Sequence, residues 1–481
     1  MGVLRTNSQK RKSGLINSNM VVARLLMLMQ YCLVTLMLTT CSSYFLYIVF
    51  ITSSSQAPYI DTIKERCHQI QSSRENTRVF LTISSLYVST TEDGIVNRQL
   101  EINWFGGSPA TEDKISVFNT DPIIHPNASS IISIHPQDHP GGFYRSDIII
   151  PVIILNATFL HENHCLGYWV TYQNNKGQVL SSSCLRIQPF WMEENSDYLS
   201  HLKLSEIMIP GSHDSGSFYY HKESGPLTKY KYAQEENIFT QMVYGLRYFD
   251  LRVGHYKYCE DKYYINHNFL RTEHSVKSVL RQVLQFLRVT KKEIIILDFH
   301  NFPIGFNSEE IHEKLIVMII RFFGPFLIPT TDDYKNATMS YLWEHNKRVL
   351  VSYDNPIREK YFQNLMWPSI ERAWGNKQHP QDLKSYFEEV FEKSAPEGLW
   401  ASMAELTPNA KTIILHPETG LRYLADLINR NVTHWFRDHF WHKANIVATD
   451  YFLGNNIIDV SIRANRIKGL CPPHYWSNLR P

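Results

Sequence analysis

From about Leu199 onward, short apolar runs alternate with stretches of helical period, and this alternation is the strongest limit on the fold. Val276, Val279, Leu280, Val283, Leu284 and Leu287 recur at i, i+3, i+4 spacing, so Ser275–Arg288 reads as an amphipathic helix. The next run, Glu293–Phe299 (EIIILDF), is apolar without alternation, which requires a strand covered on both faces. Glu206–Ile209, Gly245–Leu251, Tyr263–Asn266, Arg348–Ser352 and Asn445–Thr449 read as further strands. Asn307, with Glu310 three residues on, reads as the cap of a helix reaching about Phe323. The pattern fits an α/β chain, specifically a (β/α)8 TIM-type barrel, regular or irregular, over residues 195–470.

Polar residues collect at the ends of these strands, where barrels build their sites. Ile209–Ser215 (IPGSHDS) ends an apolar run in a turn carrying His213 and Asp214. In Gly245–Arg252 (GLRYFDLR), alternation along a strand sends Asp250 and Arg252 to one face, where two buried charges must pair or hold a charged ligand. Tyr263–His267 ends in Asn266 and His267, and Ile296–His300 ends in Asp298 and His300. A purely structural barrel needs apolar layers at these positions. Ser212, His213 and Asp214 cannot form a serine triad, because neighbouring side chains diverge and no G-x-S-x-G elbow is present.

The combination IPGSHDS, GLRYFDLR, Asn266-His267 and EIIILDF resembles the X-domain of phosphatidylinositol-specific phospholipases C, in the proteins that contain only an X-domain and in the metal-independent bacterial enzymes. The likeness covers roughly 195–465, and the preceding β-rich region resembles that of some arthropod-type members. It implies a phosphoric diester hydrolase or lyase acting on phosphatidylinositol or a glycosylphosphatidylinositol. His213 would be the base taking the proton of the inositol 2-hydroxyl, and His267 the acid protonating the diacylglycerol oxygen. Arg252 would stabilise the charge on phosphorus, Asp214 would hold the polar cluster, and Asp450 from the last strand would orient His213. Asp250 would hold Arg252 and counts as a substrate-binding candidate with Asp298, His300, Tyr353 and Glu405, the last four from strand-end position. Calcium-dependent relatives carry Asn after the first histidine and two acids on the second strand. Here Asp214 and Arg252 stand instead, so neither metal nor other cofactor is expected. The alternatives are an inositol-lipid or glycolipid binder with little turnover, and a metal-dependent phosphodiesterase.

Ahead of the barrel, residues 58–190 carry β-branched and aromatic runs between Gly, Pro, Asn and Asp clusters, and read as an all-β, sandwich-like domain. The runs are Arg78–Val88, Gln99–Phe105, Asp147–Leu155 and a hairpin turning at Asn174-Asn175. Cys165 and Cys184 lie symmetrically about that turn and form the candidate disulfide; both buried as free thiols is the alternative. His135, His139, His161 and His164 read as loop histidines. The basic segment 1–24 precedes a stretch without charge, residues 25–51, long enough to cross roughly 30 Å of hydrocarbon as a helix. It reads as a signal anchor or as a signal peptide cleaved near Ala57. Either puts the rest of the chain on the lumenal or extracellular side, membrane-anchored or secreted, facing membrane lipid. The sequons at Asn127, Asn156, Asn336 and Asn431 agree with that side. A net charge of +2 over 481 residues gives no electrostatic case for nucleic acid.

Overall fold

Alternating apolar residues build two antiparallel sheets in the first part of the chain. The computed structural model describes Cys67 and residues 77–473, apart from 107–111, 154, 156–159, 161–163, 394, 416 and 472. The basic N-terminus, the apolar span, the cleavage site and Asn156 therefore lie outside the described residues. Strands β1 (Arg78–Thr90), β2 (Val96–Phe105) and β5 (Phe143–Pro151) form one sheet, and β4 (Ile132–Ile134), β3 (Lys114–Phe118), β6 (Cys165–Gln173) and β7 (Val179–Arg186) the other. Ile83, Leu100, Ile115 and Val170 from these sheets belong to the same apolar cluster as Met242, Phe249 and Leu297 of the barrel. Burying them together removes apolar area from water at roughly 25 cal/mol per Å2.

The β6–β7 hairpin differs from the symmetric expectation. The turn runs from Asn174 to Gln178, and register shifts set Cys184 opposite Trp169 and Cys165 opposite Arg186. The Cys165–Cys184 disulfide nevertheless forms, with Cα atoms 5.7 Å apart. Cys259 is a free thiol. Asn127 and Asn336 are exposed, whereas Asn431 is half-buried within a helix and donates to the Leu427 carbonyl.

Seven parallel strands make the barrel wall among the described residues, one fewer than expected. They are β8 (Ile209–Ser212), β9 (Tyr248–His255), β12 (Ile295–Ile304), β13 (Val349–Tyr353), β14 (Glu371–Trp374), β15 (Trp400–Met403) and β16 (Ile446–Thr449). Hydrogen bonding runs β13-β12-β9-β8-β16-β15-β14. Between β13 and β14 there is only a bridge from Ser352 to Trp367, just before β14. Pro368 follows Trp367 and cannot donate to a ladder, so pairing stops there.

Tyr263–His267 is not a wall strand. It forms β10, antiparallel to β9, and continues into β11 (Leu270–Ser275). Helix α1 (Ile238–Tyr244) ends at Gly245, whose φ of 130° is open to glycine alone, so the GLRYFDLR strand starts later than expected. Helix α2 (Val276–Val289) is capped by the Ser275 hydroxyl accepting from the Ser278 amide. Helix α3 (Glu309–Phe323) begins after Ser308 rather than at Asn307, and no side chain caps it. Helices α4 (Pro380–Lys393), α5 (Gly420–Trp435) and α6 (Ile457–Leu470) follow in the second half.

Candidate active site

Barrel closure brings the first and last strands side by side, with Ser212 opposite Thr449. The residues just past them, His213 and Asp450, are thereby neighbours although 237 positions apart, and His213 Nδ1 lies 2.8 Å from Asp450 Oδ1. The His213 amide donates to the Thr449 carbonyl, and the Gln234 side-chain amide donates to the carbonyls of both His213 and Thr449. The ring is thus fixed from its backbone and from one nitrogen.

The other nitrogen, Nε2, lies 2.5 Å from an Arg252 guanidinium nitrogen. Arginine can only donate, so Nε2 presents its lone pair and Nδ1 carries the proton toward Asp450. Arg252 also donates to both oxygens of Asp250, at 3.4 and 3.1 Å. Asp250 further accepts from the Asp214 amide and contacts His300 Nε2. Burial favours its neutral form, but Arg252 and His300 hold its carboxyl well below the usual range. The first arginine of GLRYFDLR has a different fate. Arg247 is wholly buried against Glu293 and donates to the carbonyls of Met242, Leu246 and Pro189, a structural ion pair.

His267 arrives from the returning hairpin. Because β10 runs antiparallel, pairing Ile265 with Val253, its end comes back toward Arg252. Its ring centre is 6.5 Å from that of His213, with the planes nearly perpendicular, and Nδ1 is 3.0 Å from the Lys231 carbonyl. Burial, Arg252 and His213 together push its proton affinity down to about 3. Asp214 holds a left-handed backbone, φ 39°, kept by its amide bond to Asp250. Both Asp214 carboxyl oxygens are buried without a hydrogen-bond partner, and burial lifts the group to about 7.

His213, Arg252, His267, His300, Glu405 and Asp450 all line one cavity of about 390 Å3. Both Glu405 oxygens lack hydrogen-bond partners, and burial lifts its carboxyl to about 8. Burial opposes charging of His213, yet Glu405 and then Asp450 raise it to about 9. Arg252 opposes that charge, and its contact with Nε2 is one that only an unprotonated Nε2 accepts. Among the described residues no cluster of His, Cys, Asp and Glu is arranged to hold a metal ion.

Two expected substrate-binding residues are placed elsewhere. Tyr353 is fully buried and turns away from the cavity, with its hydroxyl 2.8 Å from His312 Nδ1 and its ring against Phe299 and Phe302. The cause is strand alternation: its neighbour Ser352 takes the inward position. Asp298 does point inward but lies deeper, accepting from Tyr248, Ser352 and Arg372. Arg372 lines the cavity and was not foreseen, since β14 (ERAW) has no β-branched residue to mark it as a strand. Asn268 and Trp374 also line it unforeseen.

Mouse PI-PLC X domain-containing protein 2 is 31% identical over 267 residues, covering 50% of this chain and 76% of that protein. Human PI-PLC X domain-containing protein 1 is 25% identical over 323 residues, covering 60% of this chain and 98% of that protein. The chain belongs to the PI-PLC X domain-containing family. No family model matches it. Among solved structures it is similar to the phosphatidylinositol-specific phospholipase C of Listeria monocytogenes, with a TM-score of 0.42 and 17% identity over 58% of this chain and 98% of that one.

Proposed function

We propose that the chain cleaves the phosphodiester of an inositol phospholipid or a glycosylphosphatidylinositol by paired histidine catalysis. The observation that carries this reading is His213, held at Nδ1 by Asp450 with Nε2 toward Arg252, facing His267 across one cavity. In the reaction Nε2 takes the proton of the inositol 2-hydroxyl, and that oxygen forms a bond to phosphorus. The bond from phosphorus to the glycerol oxygen breaks, and His267 delivers a proton to it. The products are a cyclic inositol phosphate and diacylglycerol. Such proton transfers contribute about 10^2–10^4-fold each.

Arg252 is the cation for the phosphoryl oxygens, locked by Asp250. In the free protein it leans on His213 and lowers the proton affinity of His267. A phosphodiester anion on Arg252 offsets that charge and so raises the proton affinity of His267 as substrate binds. A positive charge fixed among Asp214, Asp250 and His213 also opposes a divalent ion there, which supports metal-independent chemistry. The Cys165–Cys184 disulfide supports an oxidising, lumenal or extracellular setting.

The test is incubation of the full chain and His213→Ala with labelled phosphatidylinositol and with a glycosylphosphatidylinositol-anchored protein, EDTA being present throughout. Cyclic inositol phosphate from the parent alone is the expected result. Turnover that needs an added divalent ion, or no product from either substrate, defeats the proposal.

A further inference from the structure

The first N-terminal sheet reaches the turn that carries Asp450 through a buried side chain. Asn429 is buried in α5, and its amide nitrogen lies 3.0 Å from the Ser85 hydroxyl of β1. The same nitrogen lies 3.1 Å from the carbonyls of both Asp450 and Tyr451. Its amide oxygen accepts from Asn455 Nδ2 at 3.0 Å, and that nitrogen also reaches the Thr449 hydroxyl at 3.1 Å. Asn429 therefore ties β1 to the turn that carries Asp450.

That turn is costly to hold. Tyr451 takes a left-handed backbone, φ 42°, which a bulky residue adopts only under constraint. Its amide donates to the Ala233 carbonyl and its hydroxyl to the Tyr232 carbonyl. The junction is also tight: a Cβ on Gly454 would stand 2.5 Å from the Ser85 hydroxyl and 2.8 Å from Asn429 Nδ2. Beside it Arg422 donates to the Ser85 carbonyl and to Glu223, and pairs with Glu235. Glu235 in turn pairs with Arg98 of β2. Two strands of the first sheet thus grip the barrel next to Asp450.

We infer that Asn429 is a positioning residue for the Asp450–His213 pair, and that the first sheet completes the site by bracing Asn429 through Ser85. The inference rests on the catalytic reading of His213 but is testable without turnover. A packing role alone would let the sheet be loosened without effect on His213. A positioning role ties the state of His213 to a hydroxyl on β1.

The experiment uses the full chain labelled with 13Cε1-histidine, with the His213 signal assigned from His213→Ala. Asn429→Ala and Ser85→Ala are compared with the parent, and circular dichroism checks that each folds. Asp450 raises the proton affinity of His213. When its carboxylate drifts, the His213 midpoint moves to lower pH, in both variants and further in Asn429→Ala. On phosphatidylinositol kcat falls roughly 10- to 100-fold with KM little changed, the scale of a small misplacement of a reacting group. Should Asn429→Ala misfold, Ser85→Ala decides the matter. A lower melting temperature with the His213 midpoint and kcat/KM unmoved overturns the inference. A midpoint moved in the variants of a parent that shows no turnover keeps the inference and removes the phospholipase reading instead.

Discussion

Removing the charge of Arg252 is the most informative single perturbation. Arg252→Ala deletes a guanidinium that donates twice to Asp250 and once to His213, in a site where Asp250 is wholly buried. Breaking a buried pair from one side costs about 3–5 kcal/mol, because the remaining charge is left in a poor solvent. Asp250 retains His300 and the Asp214 amide, so the loss lies toward the low end, about 3 kcal/mol. The pH dependence has a definite sign. Arg252 is the leading charge that keeps Asp250 ionised, and it also holds Asp214 down. Without it Asp214, already lifted to about 7 by burial, holds its proton more tightly still in the folded state. Stability is then lost as pH rises from the unfolded carboxylate range through the raised folded value. Chemical denaturation at pH 5 and pH 8 measures this. The loss should be greater at pH 8, and Arg252→Lys, which keeps the charge but not the fork, should lose less. An Arg252→Ala protein within about 1 kcal/mol of the parent at both pH values would show that the acid cluster does not depend on Arg252, since exposed pairs contribute no more than that.

His267 should respond to anions. Its proton affinity is held near 3 by burial, Arg252 and His213, and an anion on Arg252 offsets the second of these. Adding inorganic phosphate or a soluble inositol phosphate should move its NMR titration upward, and no movement at saturation would remove Arg252 as the phosphate contact. Replacing Cys165 and Cys184 by alanine opens a loop with a sequence separation of 19, which should cost about 3 kcal/mol and lower the melting temperature. Because β6 and β7 lie outside the cavity lining, the His213 titration should be unchanged.

Much of the site was legible because barrel geometry turns strand ends into one place. His213 and Asp450 could be paired from sequence, since first and last strands of a closed barrel are neighbours, and Ser212 does face Thr449. Arg252 and Asp250 share a face by alternation, as expected. His267 reaches the site by a route that was not read: a short hairpin and a wall strand have the same period. Tyr353 was misplaced by one residue of phase, which in a strand reverses the side chain. Asn429 gave no signal at all, because a polar residue on a helix is usually solvated and its partners lie 344 and 21 positions away. Strands β14 (ERAW) and β15 (WASM) contain no β-branched residue, so no strand signal marks them.

The single bridge between Ser352 and Trp367 has a consequence set by its position. Counting along the wall, β13 and β14 each stand three strands from β8, so the weak joint is diametrically opposite the strand that carries His213. Local opening starts where hydrogen bonds are fewest. Opening of the wall should therefore begin on the far side, while the continuous ladder β9-β8-β16 keeps His213 and Asp450 in register.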